Sequence, residues 1–287
     1  MNQARDSQSG SPIRVRLLGD HSRVHGGCRA VWEVMLRAAK RQGLDVVETD
    51  YDALIVNGEG SMHHDRISAM RKLEALKEAV DTGKKAWLIN TVWQEMSHDY
   101  DAVLQALDGV IVREPLSREA LRAHGVEASV KPDLSFFHAA RDPQVLSDFK
   151  GQPVMTDFWS DSFDAFARPT SSYLKDFRFF EFLKYDWAGA IESLKTTPLL
   201  ITGRQHAVYA ACKARTPFLA VKGNTHKIEG LVAMAGADIP VLDHPREIRD
   251  HLDKALENQS EYDRLFDYLD AQKRRGAFPR LRAEARA

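Results

Sequence analysis

A few short stretches of the chain combine residue types that bind anions and move protons. Thr202-Gly203-Arg204-Gln205-His206 sets a guanidinium, which forks onto phosphate or carboxylate, two residues ahead of a titratable imidazole. Asn224-Thr225-His226-Lys227 adds a second polar loop with its own cation. Asn57-Gly58-Glu59-Gly60-Ser61 places two glycines around one carboxylate, so the backbone can approach a ligand while Glu59 accepts hydrogen bonds or a proton. Gly19-Asp20, His25-Gly26-Gly27 and Arg113-Glu114 complete the set. Each stretch also has a structural explanation: a tight turn with Glu59 as a helix-start acid, or an Arg-x-His pair that only packs. Two cation-bearing loops at successive strand ends would face one crevice, so each strengthens the other.

Other chemistries find less support. His63 and His64 are adjacent, and neighbouring side chains on a helix point apart, which makes a poor chelate. Cys28 and Cys212 are far apart and lack the paired spacing of a zinc or redox site, so both read as small buried hydrophobes and no metal site is expected. Over 287 residues the formal net charge is -1, so no global field draws the protein to nucleic acid, and any anion site must be local. No apolar run approaches the ~20 residues of a membrane-spanning helix, and the polar stretch Met1 to Pro12 lacks a secretory core segment. The expected location is therefore the cytoplasm.

The elements that must position these loops follow from hydrophobic spacing. Apolar runs at Ile13–Leu18, Ala53–Val56, Ala86–Val92 and Gly109–Val112 alternate with helical patterns at Ala30–Lys40 and Arg66–Val80, and with a helix opened by Ser117 as its expected N-cap. Beyond a weak stretch with Pro132, Pro143 and Gly151, the alternation resumes. Strands are expected at Pro153–Phe158, Leu199–Thr202, Thr216–Val221 and Pro240–Leu242. Helices are expected at His206–Ala214 and Ile228–Ala235, with one long helical pattern over Arg246–Leu269. This grammar predicts an α/β chain of two Rossmann-like domains, with parallel sheets facing a cleft: a tail at 1–12, domains at 13–142 and 143–270, and a basic tail at 271–287. Ligands in such sheets collect beyond the carboxyl ends of the strands, where the loops above lie.

Ile201 to Val208, Thr216 to Ala220 and Asn224 to Leu231 resemble the C-terminal signature of the polysaccharide pyruvyl transferase family. Asp52 to His64 is similar to that family's glycine-rich loop, His25 to Cys28 to its N-terminal glycine loop, and Val112-Arg113-Glu114 through Asp133 to its mid-chain pattern. The resemblance implies a glycosyltransferase-B-like architecture. It also implies transfer of an enolpyruvyl-derived group from phosphoenolpyruvate to a sugar or lipid-linked glycan, giving a pyruvate ketal and needing no cofactor beyond that co-substrate. On this reading His206 donates the proton, and Arg204 and Lys227 hold the donor with Asn224 and Thr225 beside them. Arg113 closes the clamp from the facing domain. Glu59 or Asp20 deprotonates the acceptor hydroxyl, and Asn57, Gly58, Gly60 and His25 line the acceptor side. The chain departs from the family in having little room before Leu199, filled by an aromatic stretch, and in placing Gln205 where relatives often have an aromatic residue.

Two other readings share the same residues, because fold does not fix reaction. One is a glycosyltransferase using a nucleotide sugar; the other is a non-catalytic carbohydrate-binding protein. The basic C-terminus, with Lys273, Arg274, Arg275, Arg280, Arg282 and Arg286, reads as a solvated tail or as a weak peripheral contact with an anionic membrane surface.

Overall fold

Buried apolar runs set the scaffold. The computed structural model describes residues 11–281, and its first half runs β1 (Arg14–Leu18), α1 (Gly26–Arg41), β2 (Asp45–Val46), β3 (Ala53–Glu59), α2 (Ile67–Asp81), β4 (Lys85–Thr91), α3 (Asp101–Gln105), β5 (Gly109–Val112), α4 (Pro115–Ala123) and β6 (Ala128–Val130). Its strands form one parallel sheet in the order β2-β1-β3-β4-β5-β6. All of β3 is buried, and its alternation divides two cores. Ala53 and Ile55 pack on the α1 side with Val31, Val34 and Met35, whereas Leu54 and Val56 pack on the α2 side with Leu73 and Leu76.

The second half runs β7 (Val154–Met155), β8 (Phe158–Ser160), β9 (Ala165–Ala167), β10 (Arg178–Phe179), α5 (Trp187–Leu194), β11 (Leu200–Thr202), α6 (Gln205–Ala214), β12 (Phe218–Val221), α7 (Lys227–Ala235), β13 (Val241–Leu242), α8 (Ile248–Glu257) and α9 (Gln259–Asp270). Its parallel sheet has the order β10-β7-β11-β12-β13. The aromatic stretch supplies the edge strand β10 and the antiparallel hairpin β8-β9.

Three sequence expectations need correction. The helical pattern over Arg246–Leu269 breaks at Asn258, because Ile248, Leu252 and Ala255 cover one face of the second sheet while Tyr262, Leu265, Phe266 and Leu269 cover the other. One straight helix cannot serve both faces. The N-cap of α4 is Glu114 and not Ser117, whose backbone N–H donates to the Glu114 carboxylate at 3.0 and 3.1 Å. Nor is the chain after residue 270 a solvated tail throughout. Ala277 and Phe278 join the core around Val15 and Val31, Gln42 bonds to Pro279 and Leu281, and Arg274 donates to the Phe137 carbonyl. The chain thus returns to clasp the first half, burying its apolar residues there. Arg282 and Arg286, and residues 1–10 of the expected N-terminal tail, lie outside the described residues. Among the described residues, no helix is long and apolar enough to cross a membrane.

Each sheet has a point where strand order reverses, between β1 and β3 in the first and between β7 and β11 in the second. Loops diverge at such points and leave a crevice. Both crevices open onto the same cleft. The halves meet closely beside it: a Cβ on Gly27, in the first turn of α1, would lie 2.8 Å from Cβ and Cγ of His206 in the first turn of α6, and one on Gly26 would lie 2.6 Å from the Tyr185 carbonyl. The His25-Gly26-Gly27 glycines therefore serve contact between the halves.

Candidate functional site

The cleft holds a cavity of about 290 Å³ whose lining includes His21, His25, Cys28, Glu59, Gly60 and Arg113 from the first half, and Phe166, Arg204, His206, Asn224 and Lys227 from the second. Residues expected from both halves are thus brought together, by the elements that end there.

On the first side, β3 runs straight into the ligand loop. Glu59, at its end, has φ +43°, an unusual backbone for a residue with a Cβ, and it turns the carboxylate toward the cavity. Asn57, buried at 1% exposure, donates to the Gly19 carbonyl (3.0 Å) and to Glu59 Oε2 (3.1 Å) and accepts from Asn90 (3.1 Å). Asn90 in turn accepts from the Leu134 N–H. Asn57 is a strut between loops and not an acceptor contact. Gly58 likewise serves packing, since a Cβ there would lie 2.2 Å from Thr91 Oγ1. Lys72 holds the loop from beneath, donating to the Gly58 carbonyl (3.2 Å) and Ser61 Oγ (2.7 Å), with His21 Nε2 at 3.1 Å. Desolvation by burial lowers its ammonium to about 8.

The centre of the site is a buried trio. Asp133 is fully buried, accepts from Arg113 Nη1 at 2.7 Å and lies 3.4 Å from His206 Nε2. Glu59 Oε1 stands 3.9 Å from the same nitrogen. Burial opposes ionisation of Asp133, but His206, Arg113 and Ser135 together hold its carboxyl far below the usual carboxylate range. At 3.4 Å the Asp133–His206 contact is an ion-pair distance without hydrogen-bond alignment, and Nε2 is left with no hydrogen-bond partner. Arg113 is 1% exposed and spends only one nitrogen on Asp133; Nε and Nη2 are buried without partners. A Cβ on Gly60 would lie 3.8 Å from Arg113 Nη2 and 3.9 Å from Lys227 Nζ, so the bare glycine keeps a gap between two cations.

From the second side, Lys227 opens α7 and donates to Asn224 Oδ1. Desolvation, then repulsion from Arg113, lowers its ammonium to about 7. Asn224 lies 3.3 Å from His63 Nε2, and burial lowers that imidazole to about 3, so His63 stays a neutral acceptor. Arg204 is less free than its sequence suggests: Nε and Nη2 both donate to Asp157, and the guanidinium lies 4.1 Å from the centroid of the Phe166 ring on the hairpin. Asp157 and Arg204 follow β7 and β11, the two strands flanking the reversal.

Other expected site residues are placed differently. Asp20 is exposed and absent from the cavity lining; its carboxylate accepts from the Ser22 N–H and shapes a turn. That placement does not support it as the base, because a base must reach the proton it takes. His25 lines the cavity, but its Nδ1 caps α1 by accepting from Gly27 and Cys28. Burial, then the nearby His206 and Arg204 charges, keep it well below the usual histidine range. Thr225 is buried, outside the lining, with its hydroxyl unpaired. Sequence reasoning missed Asp133, which it used only as a junction marker and as part of a family pattern. It also missed His21, read Cys28 as a small buried hydrophobe, and placed Phe166 only within the aromatic stretch, whose density reads first as packing and second as sugar stacking. The Pro132-Asp133 pair after a strand is the one signal that pointed to Asp133.

Three cations (Arg113, Arg204, Lys227) face three carboxylates (Glu59, Asp133, Asp157) in this region, so attraction for an anion rests on N–H groups left unpaired, with the His206 imidazole beside them. Such a set can grip a small anion and deliver a proton beside it.

No protein-family model matches the chain, and no curated protein matches it by sequence. Among solved structures it is similar to the putative UDP-N-acetylglucosamine 2-epimerase of Listeria monocytogenes, with a TM-score of 0.57 at 9% identity, covering 90% of this chain and 91% of that one. It is similar also to the Methanocaldococcus jannaschii UDP-GlcNAc 2-epimerase in complex with UDP-GlcNAc and UDP (TM-score 0.52, 11% identity, 91% of this chain and 99% of that one). An uncharacterized protein from Klebsiella pneumoniae gives a TM-score of 0.52 at 14% identity over 77% of this chain and 86% of that one. At these identities the likeness establishes architecture: two Rossmann-like halves of the glycosyltransferase-B type, with parallel sheets facing a cleft.

Proposed function

We propose that the protein is a sugar-modifying transferase whose donor is compact and doubly anionic, namely phosphoenolpyruvate, and whose product is a pyruvate ketal on a cell-surface polysaccharide or its precursor. The observation that carries this reading is that His206, Lys227 and Arg113 line one small cavity, with Arg113 Nη2 and Lys227 Nζ flanking Gly60 and with His206 Nε2 and Arg113 Nη2 left without hydrogen-bond partners. At about 290 Å³ it lies at the lower end of ligand pockets, ~300–1,000 Å³, which suits a small donor and the reacting edge of a sugar. The sequence motifs resembling polysaccharide pyruvyl transferases add to it.

In this mechanism Arg113 and Lys227 hold the donor's phosphate and carboxylate across Gly60. Arg204, braced by Asp157, presents its remaining edge. His206 gives its proton to the methylene carbon as positive charge develops on the adjacent carbon, and Asp133 steadies the imidazole. A sugar hydroxyl adds to that carbon, passing its proton to Glu59. Phosphate then leaves as the second hydroxyl closes the ketal and passes its proton to the departing phosphate, so one phosphate is released for each pyruvyl group gained.

A second reading, a glycosyltransferase using a nucleotide sugar, is favoured by the fold neighbours, one of which was solved with UDP-GlcNAc and UDP. There the same cations hold a diphosphate. Incubation with phosphoenolpyruvate and a glycan panel separates the two. The first reading expects phosphate release matched to the mass of a pyruvate ketal on the sugar. Sugar transfer from a UDP- or other nucleotide-sugar, with no turnover of phosphoenolpyruvate, would replace it with the second.

A further inference from the structure

We propose that the cleft also contains a soft-metal site, in which Cys28, His25 and His206 take a zinc-class divalent cation. Their ligand atoms lie within 4.8 Å of one another. His25 Nε2 is already 3.4 Å from Cys28 Sγ. Tetrahedral zinc, with Zn–N of about 2.0–2.1 Å and Zn–S of about 2.3 Å, needs ligand separations of roughly 3.3–3.7 Å, so one pair is preset and a shift of at most about 1.5 Å at His206 completes the set.

Three features prepare the donors. Because Nδ1 of His25 is spent on capping α1, its ring is fixed with Nε2 turned to the thiol. His206 Nε2 is buried and has no hydrogen-bond partner. Cys28 is a buried free thiol to which the proposed transfer assigns no role. Glu59, 3.9 Å from His206 Nε2, or a water can fill the fourth position. On binding, the thiol loses its proton to solvent and the metal–sulfur bond takes its place. Since Cys28 and His25 come from the first half and His206 from the second, the metal clamps the halves together and takes the nitrogen on which proton delivery would depend. The spacing rules for paired cysteines miss such a site because the third ligand is remote in sequence.

The test is titration of the chelator-treated, full-length protein with Co²⁺ in the presence of a non-thiol reductant. One equivalent should bind, giving a thiolate-to-cobalt charge-transfer band and four-coordinate visible bands, both bleached by Zn²⁺. Cys28→Ser should abolish the charge-transfer band and weaken binding at least tenfold, while Cys212→Ser leaves both intact. The spectral readout does not depend on turnover, so it stands or falls apart from the transferase reading. Absence of a charge-transfer band with excess Co²⁺ overturns the proposal, as does a band that survives Cys28→Ser. So does binding that is lost with His124→Ala, which would assign the cation to the cluster of His98, Asp101 and His124.

Discussion

Lys227 gives the sharpest prediction, because its buried ammonium titrates at about 7, where small pH changes alter its charge. If the donor binds only the charged form, its apparent affinity follows the protonated fraction of Lys227 in the free protein. That fraction falls from about 0.9 at pH 6 to about 0.1 at pH 8, so the Kd for phosphoenolpyruvate should rise about tenfold over those two units, roughly 1.4 kcal/mol. Calorimetric titration at pH 6, 7 and 8, in buffers of different ionisation enthalpy, measures both the affinity and the proton uptake. Lys227→Arg keeps its charge and should flatten this component of the profile, whereas Lys227→Met should weaken binding at pH 6 to below the wild-type level at pH 8 and remove this component of the pH dependence. Linkage also fixes the sign for folding. The folded pKa lies below the unfolded one, so between about pH 7 and 10.5 the unfolded chain carries a proton that folded Lys227 lacks. The cost to stability is therefore full below about 7 and fades as the pH rises to 10.5. Lys227→Met should accordingly raise the melting temperature at pH 6 while impairing binding. A donor affinity with no pH dependence, or a profile unchanged in Lys227→Met, would refute this reasoning.

Other residues yield independent tests. Gly27→Ala puts a Cβ 2.8 Å from the base of His206, which cannot swing aside, so overpacking should destabilise the fold by about 1–3 kcal/mol, less any gain in helix propensity, as read by urea unfolding; a stabilised variant would contradict the close approach. Arg113→Met strands the fully buried Asp133 charge and should cost about 3–5 kcal/mol, of which Arg113→Met/Asp133→Asn should recover more than half; additive losses in that double-mutant cycle would show the pair to be uncoupled. Lys72→Met removes the ammonium that braces the loop by donating to both the Gly58 carbonyl and Ser61 Oγ, leaving only the direct Ser61–Gly58 bonds, so amide exchange across 58–61 should quicken at least tenfold with little change in melting temperature; unchanged exchange would place the loop's support elsewhere.

The sequence by itself determined the layers and the loops. Runs such as Leu54–Val56 and Leu200–Thr202 are buried on both faces and must be central strands, and a parallel sheet obliges its ligand loops to lie at carboxyl ends; local spacing carries that information. Glu59, Arg113, Arg204, His206 and Lys227 were legible for that reason, as residues of suitable chemistry at strand ends. What each does was not. Asn57 proved to be a strut because its partners Gly19 and Asn90 lie far off in the chain, whereas His25 and Asp20 are taken up locally, His25 as the cap of α1 and Asp20 in the turn at Ser22. Asp133 gains its place only when the strand end bearing Arg113 and the first turn of α6 are brought against it. The break at Asn258 and the return of Phe278 to the first core likewise follow from which surfaces remain uncovered after the two halves pack. Periodicity reports whether a residue is buried, but the neighbour that gives a charge its work is chosen by the whole fold.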